Sequence, residues 1–349
     1  MTLPAPLATA IGSLPFDDEV RSVDLMLDSL PQAPCWPQLP KRSWLENMDA
    51  QFAEGLPAVR EVGEEGRVTV VTEGGEASAE EALERFWTPI IEGREPEWAG
   101  ISRERAGGLY ELLSRFTDGS EERKPVLKGQ ITGPVTFGTT VKTDPSGRLL
   151  LFNDEFFEAS RALLKAKAAW QARQLGAHAD RALVFVDEPS LVSFGSAFLP
   201  VEREQVISWM DEVIAGVHDE GALAGSHCCG NTDWSILMET ALDVINFDAD
   251  EYFDNVMLYS RQLAGFLERG GYLAFGIVPT EETVLQTTAL DALAKLDDQI
   301  KRLGQEIDWP RSKLLERLIV TPACGYGTRS EEAALRGTPM CQQIVDKLA

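Results

Sequence analysis

The stretch Ala222-Leu223-Ala224-Gly225-Ser226-His227-Cys228-Cys229-Gly230-Asn231 decides how the chain is read. Its apolar start has the character of a strand buried on both faces, and it ends abruptly in polar, metal-binding side chains. Side chains alternate along a strand, so His227 and Cys229 face one way and Cys228 faces the other, into the packing. An imidazole and a thiolate two residues apart are candidate ligands for one zinc ion. Cys324, in Thr321-Pro322-Ala323-Cys324-Gly325, is the candidate for a third. Three protein ligands with an open fourth position mark a catalytic rather than a structural zinc site. The competing reading of His227 is a core histidine satisfied by backbone.

Seven further runs resemble the start of this stretch. In order the eight are Ala8–Ile11, Arg67–Thr72, Val126–Ile131, Leu183–Val186, Ala222–Gly225, Val244–Phe247, Tyr272–Ile277 and Leu318–Thr321. Amphipathic segments of helical period lie between most of them, as in Glu155–Leu175, Arg203–Glu220 and Thr283–Glu306. Ser78-Ala79-Glu80-Glu81 has the form of a capping box, and Pro279-Thr280-Glu281-Glu282 and Ser330-Glu331-Glu332 read as helix starts. Eight strand-plus-helix units predict an α/β fold, a (β/α)8 TIM barrel as a single domain over residues 1–349, with an open doubly wound sheet as the alternative. Prolines at 31, 34, 37 and 40 predict a long extended loop, which Trp36 and Trp44 fasten to the barrel rim. Arg42–Gly55 reads as an extra helix.

In such a barrel the reactive groups sit at the carboxyl ends of the strands. Gly12-Ser13-Leu14-Pro15, Thr132-Gly133-Pro134, Asp187-Glu188-Pro189, His227 with Cys229, Asp248 and Cys324 all fall at such ends, and all would converge on one face. Individually, Asp187 reads equally well as a loop or helix cap, and Gly12-Ser13 as a tight turn. Gly129, Gly133 and Gly138 fit close backbone approach, since no phosphate-loop pattern accompanies them. His178 and His218 lie away from the strand ends, and Cys35 and Cys341 read as packing thiols.

The chain has 349 residues, with 32 basic against 56 acidic side chains and a formal charge of -24. That balance argues against nucleic acid, anionic membrane and highly anionic substrates. Five cysteines in a chain of this size do not form a disulfide framework. No amino-terminal signal pattern and no bilayer-length apolar run are evident, so the expected location is the cytoplasm.

The motifs Ile11-Gly12-Ser13-Leu14-Pro15, Lys128-Gly129-Gln130-Ile131-Thr132-Gly133-Pro134, Val186-Asp187-Glu188-Pro189, His227-Cys228-Cys229 and Cys324-Gly325-x-x-Thr328-Arg329 resemble, in order, the catalytic carboxyl-terminal barrel of cobalamin-independent methionine synthase. The resemblance covers nearly the whole chain. It implies a zinc ion held by His227, Cys229 and Cys324, on which homocysteine binds as thiolate. It also implies that Ile11, Ser13 and Asp187 hold the amino-acid end of homocysteine, and Glu73 joins them as a substrate-binding candidate. Where the family has a glutamate ligand this chain has Asp248, with Glu251 as substitute. The family's histidine after strand seven has no counterpart in Gly276-Ile277-Val278-Pro279-Thr280, and a second, folate-holding barrel does not fit in this length. These departures resemble short relatives that take the methyl group from methylcobalamin or a methylated corrinoid protein, whose cob(I)alamin leaving group needs no general acid. The alternatives are methylation of another thiol of coenzyme M type, a folate-dependent methionine synthase, or a non-catalytic zinc-binding barrel. A decarboxylase-like barrel would need arginines for its substrate's carboxylates and has no use for the two cysteines.

Overall fold

The computed structural model describes residues 2–62, 67–70, 78–143 and 147–348. Its strands are β1 (Leu7–Ala8), β2 (Val59–Val62), β3 (Arg67–Val70), β4 (Lys124–Thr132), β5 (Ala179–Asp187), β6 (Leu223–Cys228), β7 (Val244–Phe247), β8 (Tyr272–Val278) and β9 (Leu318–Pro322). Seven of them form one sheet in the order β1-β9-β8-β7-β6-β5-β4, with every pairing parallel. Their near-continuous apolar sequences follow from burial on both faces, by the barrel interior and by the outer helices. The helix Asp154–Gly176 packs on β4, β5 and the helix Arg203–Asp219, while Glu331–Leu348 packs on β8, β9 and β1. No helix among the described residues is long and apolar enough to cross a membrane.

The barrel closes differently from the sequence expectation. Arg67–Val70, the described part of the expected second strand, pairs antiparallel with Val59–Val62, outside the barrel sheet. The gap between β1 and β4 is filled instead by the proline-rich segment. Val126 N donates to Gln32 O (2.9 Å), Lys128 N to Pro34 O (3.0 Å) and Trp36 N to Lys128 O (3.2 Å). On the other side, Gln38 N donates to Gly12 O (3.1 Å) and Leu14 N to Gln38 O (2.9 Å). Pro34 contributes only its carbonyl, which is all a proline has to give a ladder. Residues 32–39 are therefore the second barrel strand. Trp36 fastens them as expected, fully buried with Nε1 donating to Gln171 Oε1 at 3.0 Å.

Two other expectations need correction. Arg42–Gly55 is not a helix but a 3-10 turn, Trp44–Glu46, followed by further turns. Its cause is Glu46, whose buried carboxylate accepts from Leu39 N (2.8 Å) and Arg42 Nε (2.5 Å) and draws the chain back on itself. Thr283–Glu306 is divided into a 3-10 turn, Glu282–Leu285, and a helix, Ala289–Ile307, because Thr288 and Asp291 form a reciprocal capping box between them. The expected box at Ser78 and Glu81 has both of its hydrogen bonds.

Inside the barrel, polarity rises toward the carboxyl ends of the strands. Val126, Leu183, Val244, Tyr272 and Ile319 cluster in an apolar lower layer. Two residues further along each strand come Lys128, Phe185, Asn246, Ala274 and Thr321, on the same face by the period of two. One more step along β4, β5 and β6 brings Gln130, Asp187 and His227. The site thus rests on a layer of mixed polarity, which itself rests on an apolar plug.

Candidate metal centre

His227, at the end of β6, and Cys229 and Cys324, in the loops after β6 and β9, each offer a ligand atom, and these atoms lie within 4.8 Å of one another. The orientation of the imidazole is fixed by Asn246, its register partner on β7. Asn246 Nδ2 donates to Ala274 O (2.9 Å) and to Thr321 Oγ1 (2.7 Å), so Oδ1 must be the atom facing His227. His227 Nδ1 stands 2.5 Å from it and therefore carries the ring proton. That leaves Nε2 with the lone pair. Nε2 is buried and has no hydrogen-bond partner, which a core histidine satisfied by backbone would not leave so.

The Cys229 and Cys324 sulfurs lie within 4.8 Å of each other, and their interaction separates their acidities. The neighbouring Cys324 thiol, helped by the His227 ring, holds the Cys229 thiol well below the ordinary thiol range. Cys324 is raised by the same interaction and by burial. Cys228 points the other way, fully buried, and burial pushes its thiol up to about 12. That is the packing role expected of it. Cys35 and Cys341 are likewise buried.

The three ligand candidates border a cavity of about 280 Å³ that Ile11, Ser13 and Asp187 also line. Asp187 is largely buried, and its Oδ1 accepts from His227 N at 3.2 Å. Burial raises its carboxyl, against the opposing pull of Lys128 and His227. Ser13 joins the first and last strand ends. Its Oγ accepts from Gly327 N (3.2 Å) and its carbonyl from Tyr326 N (2.9 Å). A Cβ on Gly325 would lie 2.1 Å from Ser13 Oγ, so only glycine allows this approach. Ser13 and Asp187 each make local hydrogen bonds and each line the cavity.

Glu188, the neighbour of Asp187, faces away from the cavity. Its carboxylate accepts from Val135 N (2.8 Å), Thr136 N (2.7 Å) and Thr136 Oγ1 (2.6 Å) at the start of the helix Pro134–Thr140. Burial still lifts it to about 7.

Asp248 and Glu251 are not brought to the three ligands. The Asp248 carboxylate accepts from Asp250 N (2.9 Å) and Glu251 N (3.0 Å), capping its own loop, and burial raises it to about 6. Glu251 is exposed. Neither lines the cavity. Glu73 lies outside the described residues. What the sequence reading missed is the wall formed by Glu46, Met48 and Phe52, from the segment expected to be a helix. It also missed Asn246, although β6 and β7 in register would have placed it beside His227.

No protein-family model matches the sequence, and no curated protein matches it. Among solved structures, the chain is similar to a B12-independent methionine synthase from Shewanella sp. in complex with selenomethionine. The TM-score is 0.58 at 14% identity, over 99% of this chain and 98% of that one. It is also similar to the Listeria monocytogenes protein assigned as a vitamin-B12-independent methionine synthase, with TM-score 0.59 and 13% identity over 100% and 99% of the two chains. At such identities what is shared is the fold, an α/β barrel of parallel strands surrounded by helices.

Proposed function

We propose that the chain is a zinc-dependent methyltransferase that methylates the thiolate of homocysteine to give methionine. The observation that carries this reading is the convergence of an unpartnered His227 Nε2 with the Cys229 and Cys324 sulfurs at the wall of a strand-end cavity. One imidazole and two thiols fit zinc, and His227, Cys229 and Cys324 would hold it. Zinc bound there would supply a lowered thiol pKa, so that the substrate sulfur is ionised at neutral pH.

The residues around the cavity perform the rest. Asp187 presents a buried carboxylate to the substrate ammonium, and Ile11 and Ser13 form the wall against which its amino-acid end lies. Among the described residues no lysine or arginine lines the cavity, whereas Asp187 and Glu46 do. That favours an aminothiol over a sulfonate such as coenzyme M. The volume is at the small end for ligand sites, roughly 300–1,000 Å³, and suits an amino acid. A donor as large as a corrin must therefore stand at the mouth. Asn246 holds the imidazole proton at Nδ1 throughout, keeping Nε2 free as a ligand. Walls on several sides fix the sulfur in one direction, a gain from proximity. An open cavity beside three ligands also speaks against a closed, non-catalytic zinc site.

The methyl donor in this reading is methylcobalamin or a methylated corrinoid protein. A folate donor needs a proton at its leaving nitrogen, whereas cob(I)alamin leaves without one. The similar protein from Shewanella binds selenomethionine, the selenium analogue of the proposed product. Metal analysis of Cys229→Ser and Cys324→Ser tests the proposal. Loss of zinc and of methionine formation is expected, and a zinc-free double variant with full activity overturns it.

A further inference from the structure

The second barrel strand is short of ladder donors, because Pro34 and Pro37 have no N–H. Beneath the cavity, buried side chains make the connections that the ladder lacks. Lys128 Nζ donates to Ile11 O at 2.6 Å, reaching from β4 past the proline-rich strand to the end of the first one. Gln130 Nε2 donates to Trp36 O (3.2 Å), and Gln171 Nε2 donates to Gln130 O (3.1 Å). Gly12, at φ +141°, lies so close to the Gln130 carboxamide that a Cβ would stand 2.6 Å from it.

Lys128 is the costly member of this set. It is fully buried, its ammonium lies 4.3 Å over the Phe185 ring, and no carboxylate forms a salt bridge with it among the described residues. A methionine would fill the same space against Phe185 without burying a charge, so packing alone does not account for a lysine here. Besides its pull on the Asp187 carboxyl, the ammonium adds a strong, charge-assisted hold on the carbonyl of a cavity-lining residue.

We propose that Lys128 is a positioning residue: by fixing the Ile11 carbonyl it aims the Ile11–Ser13 wall at the amino-acid end of the thiol substrate. This rests on the thiol-methylation reading above. It acts on substrate affinity and leaves the metal ligands untouched.

The test uses the full chain loaded with Co2+, with L-homocysteine titrated against the increase in thiolate-to-cobalt absorption over that of the two cysteine ligands. Lys128→Met is expected to weaken homocysteine binding roughly tenfold, and Lys128→Gln, which keeps an N–H donor, to weaken it less. Metal content should be unchanged, and kcat at saturating thiol should stay within about twofold of the parent chain, the signature of lost binding rather than lost chemistry. Amide exchange should quicken at residues 11–14 and not across the barrel. Unchanged homocysteine affinity in the variants overturns the proposal. So does a parallel fall of affinity, metal content and global protection, which marks Lys128 as merely structural. If Lys128→Met fails to fold, Lys128→Gln decides between these outcomes. Absence of any change in that absorption when homocysteine is added to the parent chain is a different failure, that of the thiol reading itself.

Discussion

Replacing Asn246 by leucine removes the group that orients the metal-binding histidine while keeping nearly the same volume. Asn246 is fully buried and makes three hydrogen bonds, to His227 Nδ1, Ala274 O and Thr321 Oγ1. The threonine oxygen loses a donor but its hydroxyl can still donate to another group, whereas the imidazole N–H and the Ala274 carbonyl are left alone. Each stranded group costs about 1–3 kcal/mol, so the metal-free fold should lose about 2–6 kcal/mol. The imidazole also loses its fixed tautomer, and loss of such a partner typically lowers metal affinity by about 10–100-fold. Zinc competition against a chromophoric chelator reads the second quantity, and chemical denaturation reads the first. Asn246→Asp separates them. It keeps an acceptor for His227 but sets a carboxylate oxygen against Ala274 O, so it should lose stability while holding zinc better than the leucine variant. A folded Asn246→Leu protein with zinc affinity within about twofold of the parent chain would refute the role given to Asn246.

Glu188 makes a pH-dependent contribution to stability. Its folded value of about 7 lies above the ordinary 4.5, so the fold holds this proton more tightly than the unfolded chain does. The contribution is fully present below pH 4.5 and is lost as pH rises through about 7; it amounts to about 3 kcal/mol. Denaturation of Glu188→Gln across that range should show a shallower decline than the parent chain, and an identical slope would contradict the assignment. Asp187→Asn keeps size but removes the charge offered to the substrate ammonium. Its KM for homocysteine should rise by roughly tenfold or more at normal zinc content, and an unchanged KM would show that the ammonium binds elsewhere. Cys228→Ala should keep zinc and activity, in contrast to the serine variants of Cys229 and Cys324; loss of metal in Cys228→Ala would mean the strand-end register has been misread.

The fold was legible wherever a strand is buried on both faces. Val244–Phe247 was read to the residue, and the runs around Val126, Leu183 and Tyr272 were found a little short. The second strand was hidden because its buried side chains are interrupted by prolines, which mark a loop in sequence but contribute usable carbonyls in a parallel ladder. Arg67–Val70 misled for the opposite reason, since it has the sequence of a strand but pairs with Val59–Val62. At the site, the period of two was enough to orient His227, Cys229 and Cys228. The position of Asp248 at the end of its strand, together with the family resemblance, put it among the ligand candidates. What it could not convey is the turn that follows, where the nearby Asp250 and Glu251 N–H groups take up the Asp248 carboxylate. Glu46 was illegible because its place in the cavity wall depends on the turn it stabilises itself.

The central claim is methyl transfer to a metal-bound thiol, and one measurement addresses it directly. The purified chain is analysed for zinc and incubated with L-homocysteine and either methylcobalamin or methyltetrahydrofolate, and methionine is quantified. The account expects bound zinc and methionine from methylcobalamin, abolished when zinc is removed and restored when it is returned. Methionine from the folate donor alone would contradict the proposed donor, and a zinc-loaded chain that forms no methionine from either would contradict the function.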